Sequence, residues 1–459
     1  MNHLVSPERV LPTLNADGTR NRIRPRLYPG RLHTRRRVTG WALIALFVGL
    51  PWLRIAGKPA VFLDVVQRQF TLFGHTYLAT DGVLLMLLML TIFASVFWLT
   101  ALVGRAWCGW GCPQTVYMEF LFRPIERLFE GKREAQLRLD KAGLSWRRVA
   151  KNGVFLVLSF VLANVFLSYF VGTHALRTWV TEPPALHMSG FLVVAVTTSL
   201  MFFDFAYFRE QMCTVICPYA RLQSVLLDRR SLLIGYDGLR GEPRSKGKPK
   251  PGHGDCIDCN ACVVTCPTGI DIREGLQLEC IACGQCADAC DSIVGKIGKP
   301  AGLIRYASQN ALETGEKTPL LRTRVVIYSL LLLALLSALT LSVLFKPLAD
   351  VTILRGIGAP YEENGPQIVN QIRVKIRNRA GSAERYHVEL VGLEGGSLIA
   401  PEDPLLIAAG EQRTTSVFAL APRSAFLGGA RAVQFRVTNT AGYRTEIPYR
   451  LLGPQGTRP

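Results

Sequence analysis

Charge is scarce in this 459-residue sequence, and acidic charge scarcer still. Asp, Glu, Lys and Arg make up 19% of the residues, below the roughly one quarter usual in soluble domains, and 34 acidic residues face 53 basic ones for a net charge of +19. With 49% hydrophobic residues unevenly spread, that shortage excludes an ordinary soluble globular chain and points to a membrane protein. Histidine is sparse, seven in all and none in an apolar run, which weakens any cytochrome b reading. Walker A and Gly-x-Gly-x-x-Gly patterns are missing, so no nucleotide cofactor is implied. Cysteine is absent before Cys108 and after Cys290, and the twelve between them leave disulfide, metal or redox chemistry to be decided by position.

Five apolar stretches, 38–55, 82–104, 153–172, 189–208 and 325–345, approach the ~17–25 residues that cross a hydrocarbon core. The first carries Pro51 and Arg54 near its end. It follows 37 polar, Arg-rich residues and precedes no small-residue cleavage site, which argues against a signal peptide. Residues 1–40, 105–152 and 209–324 hold nine, ten and sixteen Lys and Arg, whereas 56–81 and 173–188 hold two and one. The positive-inside rule puts the N-terminus and both long loops in the cytoplasm and, with five spans, the C-terminus outside. Of the 53 basic residues 35 lie in those cytoplasmic segments, so the excess reflects membrane topology and anionic lipid as neighbour, with no nucleic acid.

At ~150 residues per domain the length suggests three units. The expected organisation is a basic N-terminal segment at 1–37, four spans with two loops at 38–208, a cytoplasmic cysteine domain at 209–324, a fifth span at 325–345 and an outer domain at 346–459. That last part alternates apolar and polar residues at 371–377, 386–390 and 432–437 between Gly, Asn, Pro and Ser turns, as in an immunoglobulin-like β-sandwich. It has no Cys and one His, so a docking or structural role is expected. Residues 244–254 read as a flexible basic linker, and 122–139 as an amphipathic helix on the inner membrane surface.

Eight cysteines fall in two runs. Cys256, Cys259, Cys262 and Cys266 are followed by Pro267, and Cys280, Cys283, Cys286 and Cys290 repeat the same 2, 2, 3 spacing, ending on Asp291 instead of Pro. This is the bacterial two-cluster ferredoxin pattern, in which three close thiolates wrap one 4Fe–4S cluster and the fourth ligates the other. The expected quartets are Cys256, Cys259, Cys262 with Cys290, and Cys280, Cys283, Cys286 with Cys266. Structural zinc sites use cysteine pairs at longer intervals, and a cytoplasmic loop disfavours disulfides.

The other four form a second repeat, Cys108-x3-Cys112-Pro113 and Cys213-x3-Cys217-Pro218, offset by 105 residues, each following a span that runs inward. On a helix, i and i+4 share a face, so each pair offers two sulfurs to one ion, with Pro marking a break. Soft thiolates select Cu(I), zinc or iron–sulfur clusters, and buried structural cysteines are the alternative. One shared site and two separate sites both remain open. His75, His174 and His187 fall in outer loops, where they are expected to be solvated. Asp204 lies in the fourth span, one turn from Arg209, where an interfacial salt link is expected.

The chain resembles the FixG/RdxA/CcoG family of cytochrome c oxidase accessory proteins, membrane-bound polyferredoxins. The resemblance is carried by the Arg-rich start, residues 107–115 and 212–221, Gly254-Asp255-Cys256-Ile257-Asp258-Cys259, residues 280–286, and 370–378 of the tail. It implies a multi-pass protein of the bacterial inner membrane, with a five-helix body, a ferredoxin-like insertion holding two 4Fe–4S clusters in the cytoplasm, and a periplasmic sandwich. It further implies reduction of Cu(II), as substrate, to Cu(I) for the copper centre of a cbb3-type oxidase. Cys108, Cys112, Cys213 and Cys217 would handle the metal or pass electrons. Partners would be oxidase assembly factors, a copper chaperone or transporter, and an electron donor not identified by sequence. The residues alone reach a membrane-bound iron–sulfur electron carrier. A polyferredoxin subunit passing electrons from quinol to a reductase, or a non-catalytic assembly scaffold or redox sensor, stands as the alternative.

Overall fold

The computed structural model describes residues 13–14, 19–55, 57–65, 69–73, 75–78, 82–143, 145–315, 321–345, 347–380, 382–426 and 428–454. Two units emerge, Met1–Leu339 and Thr340–Pro459. Among the described residues four helices are long and apolar enough to cross a membrane: Gly82–Val103, Trp146–Val171, Pro184–Phe208 and Thr323–Leu344. At 1.5 Å per residue, 22 residues extend about 33 Å, the thickness of a hydrocarbon core. Leu, Val and Phe cover these helices all round, and side chains such as Met86, Phe93, Phe191, Leu330 and Leu333 face outward. That is the composition a lipid-facing helix needs.

The first apolar stretch is organised differently from a 38–55 span. Its helix is Arg31–Gly49, followed by a short turn at Leu50–Trp52, and Arg54–Ile55 belong to a strand paired with Lys58–Pro59. Pro51 stops the helix, and its first turns are the Arg-rich ones. The next connection is also structured: Val61–Asp64, Gln69–Leu72 and His75–Leu78 form an antiparallel three-stranded sheet packed on helix Trp146–Val171. Val, Phe, Thr and Tyr supply its β-propensity.

Residues 122–139 are two helices, Arg123–Glu130 and Arg133–Ala142, broken by Gly131 at φ 83°. Arg123, Glu126 and Glu130 are buried. The charged face of the first helix therefore turns into protein and leaves the apolar Leu128 exposed, so the expected single amphipathic helix is two helices with the first one's charges turned inward. Residues 244–254 are tethered: the amides of Ser245 and Gly247 donate to the carbonyls of Cys256 and Ile257.

The cysteine-rich domain has a two-stranded antiparallel sheet, Leu233–Tyr236 with Ile304–Ala307, and two helices, Ala261–Thr265 and Gln285–Val294. The second unit is a sandwich. One sheet orders 397–399, 412–422, 367–378 and 349–355, with 362–364 also on 367–378, and the other orders 405–407, 384–391, 430–439 and 444–452. Alternate residues Ile368, Ile372, Val374 and Ile376 of one sheet meet Tyr386, Phe435, Val437 and Leu451 of the other in a dry core. Because Phe435 is fully buried there, Phe435→Ala is expected to destabilise the sandwich by about 3–5 kcal/mol, read as a lowered calorimetric transition of that unit alone.

Candidate iron–sulfur and thiol centre

The ferredoxin-like repeat has a backbone rule beneath its spacing. Asp258 and Ala282 have φ 51° and 52°, and Asn260 and Gly284 have φ 53° and 76°, each pair 24 residues apart like the cysteines themselves. Left-handed residues between the cysteines curl each loop tightly enough to aim three sulfurs inward. Arg273 ties down the first loop through Asp258 (2.5 Å), Asp271 and Asn260 (both 2.6 Å). In the second, Ala282 N–H donates to Cys280 Sγ (3.4 Å) and Tyr306 donates to Ala282 O (2.5 Å).

Two cavities result. One is lined by Cys256, Cys259, Cys262 and Cys290. The other is lined by Cys266, Cys280, Cys283 and Cys286, with Cys262 on the wall common to both. Burial pushes the thiols of Cys262, Cys280 and Cys290 up to about 12 and Cys283 to about 11. A metal bound there would displace those protons, since the thiolate is the ligand. Soft sulfur donors in quartets with apolar walls of Ile234, Ile270 and Ile272 suit 4Fe–4S clusters. Among the described residues no three His, Cys, Asp or Glu gather as a site for a single ion.

The 105-residue repeat extends further than its cysteines. Each apolar helix ends in a left-handed residue, Gly104 at φ 58° and Arg209 at φ 56°. Each cysteine loop then closes with a five-residue hydrogen bond, Cys112 N–H to Trp107 O (2.9 Å) and Cys217 N–H to Met212 O (2.8 Å). Cys112 and Cys217 are helix N-caps in extended conformation, with Pro113 and Pro218 opening the next helices. The expectation that each pair shares one α-helical face is thus corrected. The wider turn is π-like, a form found at functional sites.

That geometry brings the two pairs near enough to influence one another's charge. Burial, and then the neighbouring sulfurs, push the Cys108 thiol up to about 12. Cys213 rises for the same reasons, opposed by Cys112, Cys108 and Cys217. At Cys112 burial dominates, while the amides of Gln114 and Thr115 favour the thiolate. The Cys108 thiol donates to Gln223 Oε1 (3.0 Å), and Gln223 donates to Tyr219 and Thr100.

The thiols lie against the second cluster loop. A β-carbon on Gly109 would sit 2.6 Å from Ile281 O and 2.8 Å from Cys283 Cα, so only glycine permits this approach. Cys108 packs with Ile281, Cys283 and Tyr219. Arg105 donates to the carbonyls of Leu278, Cys280 and Ala220, joining the first repeat to both the cluster loop and the second repeat. Cys213 shares a small cavity with Pro267, Thr268 and Ile281.

Sequence reasoning missed a buried ionic network. Arg209 grips Glu126 with two hydrogen bonds (2.9 and 2.8 Å), Arg24 reaches Glu126 (2.5 Å), and Lys151 meets Glu130 (3.0 Å). Burial opposes ionisation of Glu126, yet Arg209 and Arg24 carry its pKa well below the carboxylate range. Asp204 therefore does not form the expected salt link with Arg209: it accepts from Gln114 Nε2 (3.1 Å). Hydropathy assigns such charges to solvent, so only their density on 123–130 hinted at pairing. His174 is exposed, and His187 stacks on Trp179 (4.7 Å) and bonds Glu182 (2.6 Å). His75 lies on a strand.

Family models match three regions: a 4Fe–4S binding domain at residues 85–134, a 4Fe–4S dicluster domain at 208–309, and an Ig-like fold at the C-terminus of FixG at 339–454. RdxA of Cereibacter sphaeroides is 34% identical over 397 residues, covering 80% of this chain and 83% of that protein. RdxB of the same organism is 30% identical, covering 90% and 92%. The nitrogen fixation protein FixG of Rhizobium meliloti is 36% identical, covering 64% and 60%.

The network yields a stability test. Glu126→Ala takes from buried Arg209 the carboxylate that it holds with two hydrogen bonds and leaves Arg24 with Asp140, and is expected to lose about 3–5 kcal/mol in thermal unfolding. Glu134→Ala, at an exposed position, should stay within about 0.5 kcal/mol of wild type.

Proposed function

The chain belongs to the FixG/RdxA family, a membrane iron–sulfur electron-transfer protein, and from that premise we propose that it reduces Cu(II) to Cu(I) for assembly of a cbb3-type oxidase. The observation that carries the reading is the packing of Cys108 against the Cys283 loop through Gly109, with Cys213 beside Ile281 of the same loop. Cys256, Cys259, Cys262 and Cys290 would hold one cluster, and Cys266, Cys280, Cys283 and Cys286 the other. Bound 4Fe–4S clusters supply electrons singly, received from a cytoplasmic or quinol donor. The four membrane-face thiols act as one site: they give up protons to bind copper, and their softness favours Cu(I) over Cu(II). One electron converts each Cu(II) to Cu(I), and no covalent bond in a substrate need break. The product would pass to an oxidase assembly factor or a copper chaperone.

In this reading helix Arg31–Gly49 is a fifth crossing. Its first amides, at Leu32 and His33, donate to Asp288 of the cluster helix (3.1 and 2.6 Å). At its other end Phe47 O accepts from Tyr169, near the far end of helix Trp146–Val171. Nineteen residues extend about 28 Å. Arg36, which spoils its hydropathy, is fully buried in protein and never meets lipid. The charge bias then favours a cytoplasmic N-terminus and cluster domain, and a periplasmic sandwich in a bacterial inner membrane.

Two tests follow from this. Purified, pre-reduced protein given Cu(II) should form chelator-trapped Cu(I), and the Cys108/Cys112/Cys213/Cys217 quadruple Ala variant should do so at least tenfold more slowly with its cluster signals intact. Equal rates would overturn the role of those thiols. Protease added outside spheroplasts should remove the sandwich and spare residues 209–324; the reverse pattern would overturn the orientation.

A further inference from the structure

The two cluster loops differ in the cations beside them. Arg273, near Cys262, is spent on the carboxylates of Asp258 and Asp271. Arg36, by the second loop, is fully buried on helix Arg31–Gly49, and its Nε donates to Gly109 O (2.9 Å). Both of its terminal nitrogens are buried without a hydrogen-bond partner, and its guanidinium lies over the Phe120 ring (5.6 Å to the centroid). Gly109 touches the Cys283 backbone, so the Arg36 guanidinium bonded to Gly109 O lies beside the second cluster loop. The carboxylate in reach of it, Glu119, is already bonded to Arg123 and Gln285.

A thiolate-bound cluster is anionic and becomes more so on reduction, so a buried, under-neutralised cation stabilises its reduced form. We propose that Arg36 is an electrostatic positioning residue that raises the reduction potential of the cluster held by Cys266, Cys280, Cys283 and Cys286 above that of the other. Electrons entering either cluster then settle on the one against the Cys108, Cys112, Cys213 and Cys217 thiols. Two donors left open in a dry site also explain why the position needs arginine, whose fork can bond Gly109 O and still present N–H groups to sulfur. The proposal rests on the two-cluster reading above.

The test is a stepwise reductive titration of the full-length protein followed by electron paramagnetic resonance, for wild type, R36Q, R36K and E119Q. In R36Q one of two cluster potentials should fall by at least tenfold in its reduction equilibrium, about 59 mV for one electron. R36K, which keeps the charge, should move it less. E119Q, which removes a nearby negative charge, should move the same cluster upward, and the other cluster should hold still throughout. A purely structural role for Arg36 cannot produce opposite shifts at one cluster. Unchanged potentials in R36Q, or equal shifts of both clusters, would overturn the proposal. Should R36Q fail to assemble, E119Q decides alone, and no upward shift there overturns it. Fewer than two cluster signals in wild type would instead sink the two-cluster reading beneath it.

Discussion

The close approach of Gly109 to the backbone of Cys283 is the contact on which the rest of this molecule turns. It exists because three constraints meet at one point. Glycine removes the β-carbon that would collide with Ile281 and Cys283. A left-handed residue at the end of the preceding membrane helix turns the chain back under the cluster domain. Arg105 and Arg36 then fasten the junction from two sides through backbone carbonyls. An apolar membrane body and a small cluster domain have little surface in common that could dock by the hydrophobic effect alone. Here buried guanidinium groups bonded to carbonyls do that work, and they place charge where redox centres need it.

Internal duplication accounts for much of the architecture. The 24-residue repeat gives two curled loops that interdigitate, each lending its last cysteine to the other's quartet. The 105-residue repeat gives two membrane helices that end alike, in a left-handed residue, a five-residue hydrogen-bonded turn and a Pro-opened helix. Each copy brings its pair of thiols to the end of a membrane helix, and the two pairs influence one another's charge. The second copy uses Arg209 where the first uses glycine. A non-glycine residue in that region carries strain, and its pairing with Glu126 holds it there.

Both repeats, the apolar helices and the alternating strands of the sandwich are legible in the sequence, because each is a periodic or spaced pattern that local chemistry enforces. The eight clustered cysteines line two cavities, with Cys262 on the wall of both. What escaped the sequence was tertiary. Glu126 is buried because Arg24 and Arg209, distant in sequence, neutralise it, and Arg36 is buried with only Gly109 O for its Nε; neither placement is visible in local sequence. Residues 122–139 have amphipathic periodicity, but in the first helix Arg123, Glu126 and Glu130 face protein and not water. Asp204 and Arg209 are adjacent on paper, and the reversal of backbone at Arg209 sends its side chain to Glu126. The small sheet at 61–78 has strands of four residues, too short for alternation to register.

The account's central claim is that electrons cross from the second cluster to metal held by the four membrane-face thiols. Rapid-freeze electron paramagnetic resonance of the reduced protein mixed with Cu(II) measures this directly, since both partners carry signals. The Cu(II) signal and the reduced-cluster signal should decay together, one electron for one copper. Loss of the Cu(II) signal with the cluster signal unchanged, or a cluster signal that persists beside unreduced Cu(II), would contradict it.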